Sequence, residues 1–510
     1  MNRTRLTTLN FATSIGLRAV TIAVSLVATP LLIRWLGDAD FGAFRATFDW
    51  IGYLALLEFG FEGALIPVFI SALSRDDEDI NLIMAPALKI FALLTGVKLV
   101  AGLVLAYFIP QLVPMETWSR DLAVGAFFGV STIIFTVAAP FRTFLRAQQK
   151  SYVINALYAV QTVIIAAGML HFAYRGFGIT GQFWAIIIGG LIFHALLVGS
   201  GARDRRLNWR RCLSLVPRQP VPAAVHRLNL PTFAFDSATR VALMSDNIIG
   251  AFFLGPAAIV PMFLTLRLPQ LLQNVMQEVG NASWASLADL HARGFHDVFN
   301  DRIISLTKGL GVLGMVGMLP LLAFNQHFVA LWVGSHQYGG MALNVVGALT
   351  AYSIGIIMLW RWAFTGTGRV RKLAPLSISN TTLNIGLSCY LTWRYGIIGP
   401  PLGTLLSNSL TSFVALPILM HRNFNTPVRP LMVAALKPLV ILSPFGVLAA
   451  FFGGRLESIG WIGLLSSMTA LAAAGAAFGY WFIWDLEERR FWRDKASGLF
   501  GQHKDDGPPR

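Results

Sequence analysis

Arg18, Asp49, Asp236 and Arg267 each stand inside a long apolar run. An ionised side chain is costly in hydrocarbon, so such a residue signals a partner, a polar path or a ligand. One offset of 218 residues carries Arg18 onto Asp236 and Asp49 onto Arg267, with the sign reversed each time. The chemistry on offer is of three kinds: cations that hold an anionic ligand, acids that titrate or bind Na⁺, and opposite charges that pair and separate.

More polar groups surround these four. Asn10, Ser14, Arg18, Thr21 and Ser25 follow helical spacing and share one face. Arg267, Gln270, Asn274, Glu278 and Asn281 do the same. Asp236, Arg240 and Asn247 fall on one face, with Asp246 beside them, and Arg45, Asp49, Glu58 and Glu62 follow one another in a single run. Glu58, Glu62, Asp236 and Asp246 are candidates for ion coupling, and Asp49 for a gate. Arg45–Asp49 and Asp236–Arg240 also have the i,i+4 spacing at which opposite charges simply neutralise each other.

The elements that must carry these residues are membrane helices. The chain is 510 residues, 55% hydrophobic and only 13% charged, with a mean hydropathy of +0.62; soluble domains carry roughly 25% charged residues. Apolar stretches of about 20 residues recur, each long enough to cross a bilayer, and helices satisfy their own backbone there. The predicted fold is an all-α polytopic membrane protein with about fourteen spans in two pseudo-symmetric six-helix lobes plus two C-terminal helices. The expected boundaries are an N-terminal lobe over 1–202, a basic linker over 203–228, and a C-terminal lobe over 229–422. An extra helix pair over 423–484 and a tail over 485–510 complete the chain.

The same offset marks a repeat. Leu36-Gly37 returns as Leu254-Gly255, and GITG from Gly178 returns as GIIG from Gly396. An even number of spans between copies keeps their orientation, so the repeat axis lies along the membrane normal. The net charge of +15 sorts into alternate loops, with Arg142, Arg146, Lys150, Arg203, Arg371 and Lys372 on one side. That is the positive-inside pattern, which places both termini in the cytoplasm and makes anionic lipid, not nucleic acid, the partner of this charge. The location expected is a bacterial cytoplasmic (inner) membrane.

No P-loop, HExxH, nucleophile elbow or Cys/His metal cluster stands out, which points away from an enzyme and from any metal or cofactor. Without an ATP motif, active transport would draw on H⁺ or Na⁺. Cys212 and Cys389 fall in a loop and a span, an arrangement that does not suit a disulfide. His194 reads as a packing residue.

Four stretches carry a family resemblance: PLLIRWLGDADFGAF, YLALLEFGFEGAL, FVALWVGSHQYGG and RYGIIGPPLGT. Their order, over roughly residues 10–420, resembles the polysaccharide flippases of the multidrug/oligosaccharidyl-lipid/polysaccharide exporter superfamily. One departure is the missing proline near the end of the span that carries Arg267, in EVGNASWASL. The resemblance implies alternating access, a cationic cavity and a polyprenyl-diphosphate-linked oligosaccharide as cargo for surface polysaccharide, lipopolysaccharide or exopolysaccharide. It also implies that Arg18, Arg45, Arg240 and Arg267 serve the diphosphate. Guanidinium suits that role because it binds phosphate oxygens in pairs. Other readings stay open: an ion-coupled multidrug antiporter, a lipid II flippase, or a non-transporting scaffold for a polysaccharide polymerase or glycosyltransferases.

Depth refines the four charges. Arg18 lies about 12 Å into its span at 1.5 Å per residue, and Asp49 a similar distance from the other end of the next. A normal repeat axis preserves depth. The expected gate pairs are therefore Arg18 with Asp236 and Asp49 with Arg267.

Overall fold

The structure, a computed structural model, describes residues 3–75, 79–116, 119–204, 206–216, 230–453, 460–484 and 489; a few side chains, Asp236 among them, stand outside the description. Every regular element among the described residues is a helix, and ten segments are long and apolar enough to cross a membrane. The chain is the all-α polytopic protein its composition predicts. Two segments, Thr8–Glu58 and Val370–Phe424, run 51 and 55 residues, more than twice the ~20 residues of one crossing. Each is broken by a glycine with positive φ, Gly37 at 78° and Gly396 at 66°, so neither is a single straight rod.

The chain divides into two compact units, Met1–Val260 with Ser377–Gly403, and Pro261–Leu376 with Thr404–Arg510. The first unit contains α1 (Arg3–Gly52), α2 (Phe61–Leu73), α3 (Asn81–Leu112), α4 (Arg120–Ser131), α5 (Ala139–Ala147), α6 (Ser151–Tyr174), α7 (Gly178–Ala202), α8 (Trp209–Leu215) and α9 (Leu230–Leu254).

The repeat is visible in its backbone. Gly37 has φ 78° and ψ 165°, and Gly255 has φ 85° and ψ 157°. Gly178 and Gly396, the second pair at the same offset, have φ 54° and 66°. A residue with a Cβ adopts these values only at a cost, so the glycine is what permits each turn. The first two turns also lie close together: a Cβ on Gly42 would stand 1.9 Å from the carbonyl oxygen of Pro256.

The outer faces are apolar. On α3, Leu93, Val97, Val100, Val104 and Tyr107 follow helical spacing and are all exposed, whereas Phe91, Leu94, Lys98 and Ala106 behind them are buried. A soluble helix turns its apolar stripe inward; the reverse order fits a surface solvated by lipid.

Two spans of this unit bend. The helix after α1 tightens to a 3₁₀ segment, Tyr53–Glu58, and breaks at Phe59 (φ 50°) and Gly60 (φ 73°) before α2 starts. A second 3₁₀ segment, Thr132–Ala138, separates α4 from α5. Below the bends, α2, α3, α5 and α7 share a core that includes Phe69, Phe91, Phe144 and Phe193, and Cys212 anchors α8 to it.

The second unit holds α10 (Ile259–Thr265, from Pro261 onward), α11 (Arg267–Ala292), α12 (His296–Val333) and α13 (Met341–Gly366), then α14 (Ala374–Tyr395, up to Leu376) and α15 (Gly399–Leu410, from Thr404). It ends with α16 (Ser412–Phe424), α17 (Val428–Gly453) and α18 (Trp461–Phe482). Here α12 is central, with α13, α17 and α18 packed along it. Buried polar groups are satisfied locally. Asn325 Nδ2 donates to Thr265 O at 2.8 Å and to Asn344 Oδ1 at 2.7 Å, and the buried Tyr352 hydroxyl donates to Ala435 O at 2.6 Å.

Candidate functional site

Asp49 is the most buried of the described acids proposed for function, at 7% exposed. It sits on the last turns of α1, one turn after Arg45, whose charge acts on it, and Asn247 Nδ2 of α9 donates to Asp49 Oδ2 at 2.8 Å. One turn further on, Tyr53 donates its hydroxyl to Val241 O of α9 at 3.2 Å. Asp49 and Asp246 both bring negative charge to Tyr53. The α9 wall continues into α14: Ser245 Oγ meets Asn384 Oδ1 at 3.3 Å, and Thr381 Oγ1 donates to Ala238 O at 2.9 Å. The structure thus gathers Arg45, Asp49, Asp246, Asn247 and Tyr53 into one cluster. It arises because α1 and α9 put their polar residues on facing helical stripes.

The cluster mixes two acids, a cation, an amide and a hydroxyl, all buried or half-buried. Such an acid can hold a proton, a cation or a neighbouring guanidinium, and exchange among these is what coupling needs. Among the described residues, the Asp49 carboxylate is held by the Asn247 amide, with the Arg45 cation nearby.

Glu58 and Glu62 lie elsewhere, each in an ion pair. Lys98 Nζ of α3 donates to Glu58 Oε1 at 2.8 Å and to Thr136 Oγ1 at 3.0 Å. One lysine therefore ties together the 3₁₀ breaks of two spans. Glu62 receives a bidentate contact from Arg142, Nε at 2.9 Å and a terminal nitrogen at 2.5 Å, plus Arg146 at 3.0 Å. Arg142 also donates to the Tyr158 hydroxyl at 3.0 Å. These contacts brace α2 and α5 just below their bends.

Arg18 lies exposed on α1, and Arg240 is exposed on α9. Arg267 is the first residue of α11, half-buried in the second unit. The Asp236 side chain lies outside the described residues, and with it the expected Arg18–Asp236 contact. The expected Asp49–Arg267 pair has one residue in each unit. His194 packs: its ring stacks on Phe135 at 4.6 Å, and its Nδ1 bonds to Gly190 O at 2.7 Å.

Sequence reasoning missed the roles of Tyr53, Lys98, Arg142, Asn247 and Asn384. Tyr53 follows Asp49 at i+4, a signal available in the sequence. Lys98 was visible as an intramembrane cation, but its partner lies 40 residues away on another helix. Arg142 reads as a loop charge until α5 is seen to extend to Ala147.

No family model matches the chain. A probable flippase, AglR of Haloferax volcanii, is 22% identical over 418 residues, covering 79% of this chain and 81% of that protein. Among solved structures, the lipid II flippase MurJ in an inward closed conformation superposes with a TM-score of 0.70 at 14% identity, over 95% of this chain and 100% of that one. An inward-facing multidrug resistance MATE family transporter of the MOP superfamily gives 0.64 at 14% identity, over 84% and 98%. The fold is the one these transporters share.

Proposed function

We propose that this chain, which has the fold of the lipid II flippase and of the MATE transporters, is a flippase. Its cargo on this reading is a polyprenyl-diphosphate-linked oligosaccharide, moved across a bacterial cytoplasmic membrane by alternating access for surface or exopolysaccharide assembly. The observation that carries the reading is the relationship to a probable flippase across 79% of the chain. The arginine series Arg18, Arg45, Arg240 and Arg267 supports an anionic cargo over a cationic drug. Guanidinium groups in a low-dielectric path bind a diphosphate through paired hydrogen bonds and repel a cation.

In this mechanism the arginines hold the diphosphate, the lipid tail stays in the bilayer, and the sugars pass along polar stripes. Asp49 and Asp246 exchange H⁺ or Na⁺, and the release of Arg45 from Asp49 makes that guanidinium available to phosphate. Arg18 with Asp236 and Asp49 with Arg267 act as gates at two depths. Both termini face the cytoplasm, where glycosyltransferases would supply the cargo, and a polymerase would consume it on the other side.

The test is deletion of the gene followed by analysis of polyprenyl-linked sugars. The expected result is accumulation of lipid-linked repeat units on the cytoplasmic face and loss of the surface polymer. Unchanged polymer without accumulation sinks the proposal. The coverage of the lipid II flippase structure favours one second reading, lipid II as cargo; a viable deletion strain with normal cell-wall precursors argues against it.

A further inference from the structure

The helix α11 is 26 residues long, enough to cross a bilayer, yet it is not among the ten segments apolar enough to do so. It packs along α12 and α13, both of which are. Its inner face, with Pro269, Met276, Gly280 and Leu287, is buried. Its outer face exposes Gln270, Asn274 and Asn281. Carboxamides turned to hydrocarbon would have nothing to bond with, so this face meets water or a polar ligand. We propose that it binds the pyranose rings of a neutral oligosaccharide, with the stacked Trp284–Trp362 pair as the platform for one ring. The inference rests on the flippase reading and names the surface that takes the sugar part of the cargo.

Trp284 follows Asn281 at i+3 and closes the row of amides. Its ring stacks on Trp362 of α13, with centroids 6.2 Å apart and planes at 22°. Trp284 is 37% exposed, and Trp362 is half-buried. Two glycines let the pair form. A Cβ on Gly280 would stand 3.0 Å from Trp362 Cδ1, and one on Gly366 would stand 3.2 Å from Trp284 Cε3. The helices therefore close on the rings from both sides. What remains is a fixed aromatic surface at the edge of the polar stripe, ordered before any ligand arrives.

The chemistry matches a sugar ring. A pyranose has a face of C–H groups that packs on an aromatic plane, and a rim of hydroxyls that donate and accept. The indole suits the first, and the carboxamides, which also donate and accept, suit the second. Every exposed residue between Arg267 and Asp289 is uncharged, which favours a neutral sugar over a sugar acid. From Gln270 to Trp284 the stripe runs about 21 Å at 1.5 Å per residue, room for a short oligosaccharide. Tryptophan also anchors helices at the lipid interface, but such an anchor has no use for a row of amides leading up to it.

The full chain would be reconstituted in phosphatidylcholine nanodiscs, free of glycoside detergent, and titrated with maltotriose, cellotriose and mannotriose. Sorbitol serves as a polyol without a ring. Saturation-transfer NMR reads which ligand protons touch the protein. At least one trisaccharide should bind, with its ring C–H protons saturated most strongly, and sorbitol should not. Trp284→Leu should weaken that binding roughly three- to ten-fold, the size of one aromatic stacking contact, and Trp284→Phe should keep most of it. Asn274→Ala, an exposed change away from the pair, should weaken it about two- to ten-fold, the size of one hydrogen bond. Trp393→Leu, at an aromatic residue 71% exposed on α14, should leave it unchanged.

In a complemented deletion strain, Trp284→Leu should lower polymer export and Trp393→Leu should not. If deletion itself leaves the polymer intact, the flippase reading fails, and the binding measurement still decides the sugar surface. No binding of any trisaccharide, sorbitol binding as well as the rings, or Trp284→Leu binding like the wild type overturns the proposal. Equal loss in Trp393→Leu marks the tryptophans as lipid anchors and overturns it as well.

Discussion

Replacing Lys98 with methionine tests whether one buried lysine braces the bends of two spans. Its Nζ lies 2.8 Å from Glu58 and 3.0 Å from Thr136, and the two ionic side chains are 5% and 23% exposed. Removing one partner of a buried pair costs about 3–5 kcal/mol, chiefly because the other charge is left without compensation. Glu58 keeps some contact with solvent, so Lys98→Met should cost about 2–4 kcal/mol. Thr136→Val removes one hydrogen bond to a charged group and should cost about 1–2 kcal/mol. Glu58→Met added to Lys98→Met removes both charges, and the pair should recover 1–3 kcal/mol relative to the sum of the single changes, the range for residues in direct contact. The assay is chemical unfolding in mixed micelles, followed by tryptophan fluorescence. If Lys98→Met costs no more than Thr136→Val, or the cycle energy stays below about 0.5 kcal/mol, the lysine is not the brace and the reasoning fails.

Four further outcomes are expected. Asp49→Asn keeps a hydrogen-bond acceptor for Asn247, so its stability cost should stay near 1 kcal/mol while export in a complementation assay is lost; full export would remove Asp49 from coupling. Arg18→Asp and Asp236→Arg should each abolish export and restore it together; no rescue in the double variant rejects their pairing. Gly42→Val should destabilise the fold by at least 1–3 kcal/mol in the same unfolding assay, because a side chain there runs into Pro256. His291, at the end of α11, has its pKa lowered first by burial and then by Arg369 and His296. The unfolded chain therefore takes up this proton more readily, and the stability from neutral His291 is present above pH ~6.5 and lost as pH falls through the folded value; His291→Phe should flatten the melting temperature between pH 5 and 7.

The charged residues show how far the sequence could be read. Period, length and composition are local properties, so the helices and the repeat at Gly37 and Gly255 were legible. Asp49 was singled out because a charge in an apolar run needs no structural context to be noticed. Its partner Asn247 was legible only as a polar residue. It comes from α9, 198 residues away, and no local rule predicts a contact across that distance. Glu58 and Glu62 illustrate the same limit. They share a run with Asp49, yet the turn at Phe59 and Gly60 directs them to α3 and α5.

The sequence by itself determined that this is a helical, polytopic membrane protein with a tandem repeat, because a bilayer imposes apolar length and leaves the backbone only one economical way to cross. It also determined which residues are too costly to be there without a purpose. The tertiary structure decided which of them meet. It drew Arg45, Asp49 and Asp246 into one cluster with Tyr53 and Asn247, and it assigned Glu58 and Glu62 to ion pairs with Lys98 and Arg142. The physical reason is that a charge in a low-dielectric interior takes whichever opposite charge or donor the packing of helices brings within reach, and that packing is set by contacts far apart in the chain.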